Sequence, residues 1–348
     1  MPTQNNPPNM DFNLGKEIAP IHAVPFHHSG FGSNHAKYCI VDGSVAVIVS
    51  TNMLDGHHKF PDPVTGEKKT FNYEAGVVVY DKEKGGPAHQ LRCQFRYELE
   101  ESHQMFFARE SMAEVDEPAG DLFEPLRGSL DLGGAFVEVS AKSVTRPASE
   151  TRSLGEEVSH HWTTHLDLIR NAKTSIHIRA TFISVPEIRE ALKERIIAGV
   201  QVNIIMSDTF GFWMPFYDQT PGGVLRHFFD FRDTLSLSLK EKLKLYIPGD
   251  EVVSKFVAKD HNSHAKLMMV DRRFAILGST NYDPQAMYGS AETDILIESE
   301  AFCEKNFDRM FGTFMRRGVE IKKRSEIEGG HKKTPVEFRR SEIGRAHV

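Results

Sequence analysis

Two sets of residues in this chain have types and spacing that could do chemistry together. The first is His35-Ala36-Lys37, then Asp42, then Ser50-Thr51-Asn52. The second is His264-Ala265-Lys266, then Asp271, then Gly278-Ser279-Thr280-Asn281. The spacings agree: two residues from His to Lys, five from Lys to Asp, ten from Asp to Asn. One His-x-Lys carries no weight; two matched sets imply two similar halves that each bring a histidine to one shared site. Two imidazoles and two ammonium groups with no acidic metal cage suit a phosphodiester. One imidazole can attack phosphorus and form a phosphohistidine. The other can protonate the leaving oxygen and then take the proton of a water or an alcohol. The lysines and asparagines can neutralise charge on the non-bridging oxygens. No metal or other cofactor is expected, because the lysines supply the positive charge.

The elements that must position these residues repeat as well. Lys37 to Val41 and Val45 to Val49 are apolar, β-branched runs around Asp42-Gly43, a strong hairpin-turn dipeptide. Lys266 to Val270 and Phe274 to Leu277 flank Asp271-Arg272-Arg273. Such continuous apolar strands suit a sheet covered on both faces. His and Lys, two apart, share one face of the first strand. Folding about residues 43 and 272 sets His35 opposite position 51 and His264 opposite 280, which gathers His, Lys, Ser and Asn into one cluster per copy. The aspartates fall at the hairpin turns, which suggests a structural role. A further strand follows each hairpin: Glu74-Ala75-Gly76-Val77-Val78-Val79-Tyr80 matches Glu292-Thr293-Asp294-Ile295-Leu296-Ile297-Glu298. Helical segments are expected over about 87–102 and 301–317.

Upstream of the second set lies a strand–helix–strand unit of the parallel α/β kind. Ser175–Ile183, Val202–Met206 and Leu243–Ile247 read as strands. Between the first two, Ser184 and Glu187 form a capping box, Ile188, Ala191, Leu192 and Ile196 form one helical stripe, and Gly199 ends the helix. Only 34 residues precede His35, too few for the same unit, so the first lobe is expected to lack its front half, through a truncated or mis-started gene or, alternatively, as a genuinely reduced lobe. The closing Glu342-Ile343-Gly344-Arg345-Ala346-His347-Val348 reads like translated adapter DNA and is set aside.

The doubled HxKxxxxD and GSxN pattern resembles the phospholipase D superfamily over about residues 33–100 and 156–318, and is most similar to its cardiolipin synthase and phospholipase D-like branch. The resemblance implies two α/β lobes with mixed β-sheets flanked by helices, related by a pseudo-two-fold, with one site between them. The expected division is a partial first lobe at 20–112, a connecting segment at 113–155 containing a strand near Ala135–Ser140, a second lobe at 156–325 and a tail at 326–348. It also implies a catalytic set of His35, Lys37, Asp42, Asn52, Glu74, His264, Lys266, Asp271, Ser279, Asn281 and Glu292. His35 would be the nucleophile and His264 the general acid and base; Glu74 and Glu292 stand where the family places a carboxylate that fixes a histidine tautomer. The glycine before Ser-x-Asn is replaced by Val49 in the first copy.

Asn281-Tyr282-Asp283-Pro284 is similar to the lipid-acting branch and favours a phospholipid headgroup, by hydrolysis or by phosphatidyl transfer such as cardiolipin synthesis. A nuclease of the same superfamily and a non-catalytic phosphate-binding or scaffold protein are the competing readings. Net charge of −6 and a pI near 6.3 place nucleic acid behind lipid as a partner. The aromatic run Phe210 to Tyr217 suits an interfacial loop or a buried cap. No apolar run is long enough to span a bilayer. The expected location is the cytoplasm or the membrane periphery, with any targeting or anchoring segment lost along with the front of the first lobe. Three scattered cysteines make no disulfide framework. His27-His28, His57-His58 and His160-His161 read as surface or loop histidines, because adjacent residues on a strand point apart. Lys322-Lys323-Arg324, Lys332-Lys333 and Arg339-Arg340 read as a solvated basic tail.

Overall fold

The structure, a computed structural model, describes residues 34–41, 43–51, 72–80, 86–95, 135–142, 160–206, 221–247 and 262–324. Thirteen strands fall into three sheets among these residues. The first hairpin is β1 (Tyr38–Val41) and β2 (Val45–Val49), turning at Gly43 with φ 65°. Tyr38 pairs with Ile48 and Val41 with Val45, the register expected for a turn about residue 43. A short β3 (Asn72–Tyr73) precedes β4 (Gly76–Tyr80), and β4 pairs antiparallel with β2 to give a three-stranded sheet.

The large sheet contains β5 (Phe136–Lys142), β6 (Ser175–Ala180), β7 (Gln201–Met206), β8 (Leu243–Ile247), β10 (Leu267–Val270), β11 (Phe274–Gly278), β12 (Glu292–Glu298) and β13 (Val319–Glu320). Its order is β13-β8-β7-β6-β10-β11-β12-β5. Strands β6, β7 and β8 run parallel, and the remaining pairs are antiparallel, so the sheet is mixed. The strand expected between the lobes is thus an edge of this sheet, paired along β12. The second hairpin turns through Asp271 and Arg272, both at positive φ (53° and 54°), the type I′ geometry whose twist matches its flanking strands.

Helices Pro186–Ile197 and Pro221–Thr234 link the parallel strands, and His160–Asn171 precedes β6. They cover one face, where Met268, Val270, Val202 and Ile204 meet Ile169, Ile188, Leu192 and Phe228. On the other face Leu267, Met269, Leu277 and Ile295 meet Ala46 and Ile48 of the small sheet, Leu91 of the 87–95 helix, and Phe311 and Phe314. Both faces of β10 are therefore buried, as its unbroken apolar sequence requires. The C-terminal helix starts at Ser299, whose hydroxyl accepts the Phe302 N–H, and runs from Glu300 to Arg317 through a π-turn at Asp308–Gly312.

The helix after β6 corrects one expectation. Its buried stripe is Ile188, Ala191, Leu192 and Ile196, as read, and Gly199 (φ 87°) follows its end. Its N-cap, however, is Val185, and no capping box forms. The carbonyl of Tyr282 accepts the N–H groups of Ser184 and Val185 at 2.8 and 3.1 Å, and Pro186 at the first turn presets the helical φ. A backbone contact from the second motif loop therefore fixes the segment that the Ser184 side chain was expected to fix.

Candidate active site

The hairpins put the same bonds in both copies. The Lys37 ammonium donates to the His35 carbonyl at 2.6 Å, and Lys266 to the His264 carbonyl at 2.7 Å. The Val49 N–H bonds the Lys37 carbonyl, and the Gly278 N–H the Lys266 carbonyl. Ser50 Oγ donates to Glu74 Oε2 and Ser279 Oγ to Glu292 Oε2, each at 2.6 Å; each serine oxygen also accepts the amide after its glutamate, at 2.8 Å from Ala75 and 2.9 Å from Thr293. Serine and glutamate of one copy thus form a rigid pair at the end of its own hairpin.

Each glutamate then reaches the histidine of the other copy. His35 Nδ1–H donates to Glu292 at 2.9 and 3.0 Å, and His264 Nδ1–H donates to Glu74 at 2.7 Å. Backbone crossings beside these contacts are reciprocal too. Tyr73 pairs with Ser263 in a parallel bridge between β3 and β9 (Asn262–Ser263), and Asn34 pairs with Ala291, the corresponding positions exchanged. The two hairpins therefore meet at one polar centre.

Electrostatics follow from this crowding. Burial, then Lys37 and Lys266, lower His35 to about 3, so its ring is neutral with Nδ1 on Glu292. Burial lowers Lys266 to about 7 and Lys37 to about 8, although Glu74 and Glu292 oppose the fall for both. Burial alone would raise Glu74, but the His264 and Ser50 hydrogen bonds hold it at about 2, an ionised acceptor.

The remaining expected residues are placed as follows. Asp42 and Asn52 lie outside the described residues, as do the Phe210–Tyr217 run, the other two histidine pairs and the 326–348 tail, whereas Lys322, Lys323 and Arg324 are described and exposed. Asp271 sits at the turn of its hairpin, away from His264, and accepts the amides of Lys173, Thr174 and Ser175 at 2.7–2.9 Å. Burial pushes its carboxyl up, and these donors more than offset that and hold it below its usual range. Asn281 is buried on the loop beside Ser279, and its Oδ1 has no protein partner among the described residues.

The Val49 departure has a local explanation. In the first copy Val49 faces Gly76 across the ladder; in the second, Gly278 faces Asp294. A Cβ on Gly76 would lie 2.7 Å from Val49 Cγ1, and one on Gly278 would lie 2.3 Å from Asp294 Oδ1. Each ladder pair holds one side chain, on opposite strands in the two copies, and at Gly278 the Thr293 carbonyl, also 2.3 Å from the added Cβ, excludes a second as well.

Sequence reasoning missed the residues gathered around Asp294. His161 is fully buried in the His160–Asn171 helix, not a surface histidine, and His165 one turn later is buried beside it. The i, i+4 spacing was the available signal, but the adjacent His160 masked it. Asp283, read only as part of a motif, is buried. Burial raises its carboxyl, and it accepts the Ala286 N–H at 2.8 Å to start the turn after the loop.

Residues 165–315 match the model of the family described as cardiolipin synthase, PLD-like domain. The fold also matches the crystal structure of phosphatidylserine synthase from Haemophilus influenzae Rd KW20, with a TM-score of 0.54 and 13% identity over 86% of this chain and 65% of that one. Over residues 165–315, under half of its 348 residues, the chain is similar to that phospholipase D-like domain, and the likeness to the synthase shows a shared fold. The chain spans about two thirds of that synthase's length (65%). Two further solved chains align over 54% of this chain and 99% of their own: Nuc, a phospholipase D family member from Salmonella typhimurium (TM-score 0.37, 18% identity), and NucT from Helicobacter pylori (0.37, 16%). No curated protein matches by sequence. Among the described residues no helix is long and apolar enough to cross a membrane.

Proposed function

We propose that the crossed His–Glu centre cleaves phosphodiesters of phospholipid headgroups through a phosphohistidine, with water or an alcohol as acceptor. The single observation that carries this reading is the reciprocal pairing of each histidine with the other copy's glutamate. With Nδ1–H on Glu292, the neutral His35 ring directs its Nε2 lone pair at phosphorus. The N–P bond forms as the P–O bond to the leaving group breaks. His264, whose protonated form the ionised Glu74 stabilises, gives its proton to the departing oxygen. Water or an alcohol then gives a proton back to His264 and attacks phosphorus, and the N–P bond breaks. Lys37 and Lys266 neutralise charge on the non-bridging oxygens, and the amide of Asn281 joins them. Glu74 and Glu292 hold ring orientation and tautomer. The lipid substrate is supported by the branch of the family model that matches.

The test is turnover of phosphatidylglycerol liposomes against single-stranded DNA, in the unsubstituted chain and in His35→Ala and His264→Ala. Lipid turnover lowered by about 10³-fold or more in both variants is expected. Faster cleavage of DNA would replace the lipid substrate with a nucleic acid. Full activity in either variant, or no turnover of any phosphodiester by folded protein, would overturn the proposal.

A further inference from the structure

The first copy closes its Ser-Thr-Asn loop with an apolar side chain and a glycine, Val49 against Gly76. The second makes the same backbone bonds, Ser279 N–H to the Thr293 carbonyl matching Ser50 N–H to the Ala75 carbonyl. Yet it buries a carboxylate there, Asp294, at 2% exposure. Asp294 Oδ1 accepts the Thr280 N–H at 3.1 Å within this loop, whereas the first copy's ladder pair carries no carboxylate. The ion-pair partners of Asp294 among the described residues are two imidazoles and no lysine or arginine.

Those imidazoles stand one helical turn apart at His161 and His165, 0% and 1% exposed. His165 Nε2 lies 2.9 Å and His161 Nε2 3.7 Å from Asp294 Oδ2. One ligand atom from each of the three lies within 4.8 Å of the others. Ligand–ligand edges of about 3.3 Å are expected for a tetrahedral ion with bonds of about 2.0–2.1 Å, and the two carboxylate distances bracket that value. Nδ1–H of His161 donates to the Ser140 carbonyl at 3.0 Å, which fixes the tautomer that presents Nε2 inward, the usual support of a ligating histidine. Thr280 Oγ1 lies 2.9 Å from that Nε2 and can occupy the fourth position. Nδ1 of His165 has no hydrogen-bond partner among the described residues, so the hydrogen bonding of that ring runs through Nε2 to Asp294.

We propose that His161, His165 and Asp294 bind one divalent transition-metal ion of the zinc type, with Thr280 or a water completing a closed tetrahedral site. The ion ties the His160–Asn171 helix to the loop that carries Ser279 and Asn281, and it takes no part in bond breaking. Because the site is buried, it loads as the chain folds. The proposal does not depend on the phosphodiester reading, since its test reads metal and not turnover.

The test is metal content of the full chain made in zinc-supplemented medium and passed over a chelating resin. About one equivalent of zinc is expected, falling to roughly a tenth in His165→Ala and Asp294→Asn and unchanged in His35→Ala. Chain made in cobalt medium should show the intense visible absorption of tetrahedral Co(II), a readout that needs no variant to fold. Folded, metal-free protein would overturn the proposal. So would zinc retained in His165→Ala, zinc lost in His35→Ala, or the weak absorption of octahedral cobalt.

Discussion

The two hairpins make the same bonds in different surroundings. Every residue of β10 is buried, whereas β1 leaves Cys39 exposed and β4 leaves Val78 41% exposed. The His264 side chain is 10% exposed and that of His35 26%. Even so, the Lys-to-carbonyl, Ser-to-Glu and amide-to-Ser contacts agree between copies within about 0.1 Å. The motif therefore encodes its own local geometry through backbone register and short polar side chains. Surroundings set something else: the fully buried Lys266 falls to about 7, the more open Lys37 only to about 8. Equivalent positions can share a shape and differ in charge.

Removing the crossed carboxylates one at a time should split the copies most sharply. Glu74→Gln and Glu292→Gln are each expected to lower turnover by about 10²-fold. The difference lies in leaving-group dependence of the phosphohistidine burst. Glu74 supports the proton donor, so a p-nitrophenyl ester, which needs no proton to leave, should recover most of the Glu74→Gln loss and little of the Glu292→Gln loss. The opposite pattern would reverse the roles of His35 and His264.

The exchanged glycines offer a test by stability. Gly278→Val drives a side chain into Asp294 and should cost about 1–3 kcal/mol in urea unfolding. Adding Asp294→Gly removes the side-chain clash and leaves the one with the Thr293 carbonyl, so the double variant should regain only part of the Gly278→Val loss. Additive losses would mean that the ladder exchange is incidental. Asp294→Gly also removes a proposed ligand, so the double variant is compared with Asp294→Gly as well as with Gly278→Val.

The lysines predict an alkaline limb. A lysine lowered by burial is charged below its shifted value and neutral above it, and charge on the phosphate oxygens requires the ammonium form. For free enzyme, kcat/KM should fall as pH rises through the range from about 7 to about 8. A bound phosphodiester anion favours the ammonium, so the limb in kcat should sit higher. A kcat/KM profile flat to about pH 9 would remove the lysines from charge neutralisation.

What the sequence disclosed follows from how local each feature is. Hairpin registers, the buried faces of the strands and the Ile188–Ile196 stripe depend on residues a few positions apart, and each is visible in spacing. Glu74 and Glu292 were legible as partners of the two motif histidines, but not their exchange between copies. That depends on β3 meeting β9 and on Asn34 meeting Ala291, contacts between segments far apart in sequence. Asp294 and His165, 129 positions apart, were hidden for the same reason.

Ser184 shows the converse, a local signal that a distant contact displaced. Its spacing to Glu187 is that of a capping box, which carries about 1 kcal/mol when formed. The Tyr282 carbonyl takes the Ser184 amide instead, and the buried Ser184 hydroxyl has no partner among the described residues. Replacing a true cap by alanine removes a bond; replacing this hydroxyl removes an unsatisfied buried group. Ser184→Ala should therefore leave stability within about 0.5 kcal/mol of the unsubstituted chain, or raise it, in urea unfolding. A loss of about 1 kcal/mol or more would restore the capping role and count against the Tyr282 carbonyl as the contact that sets the start of this helix.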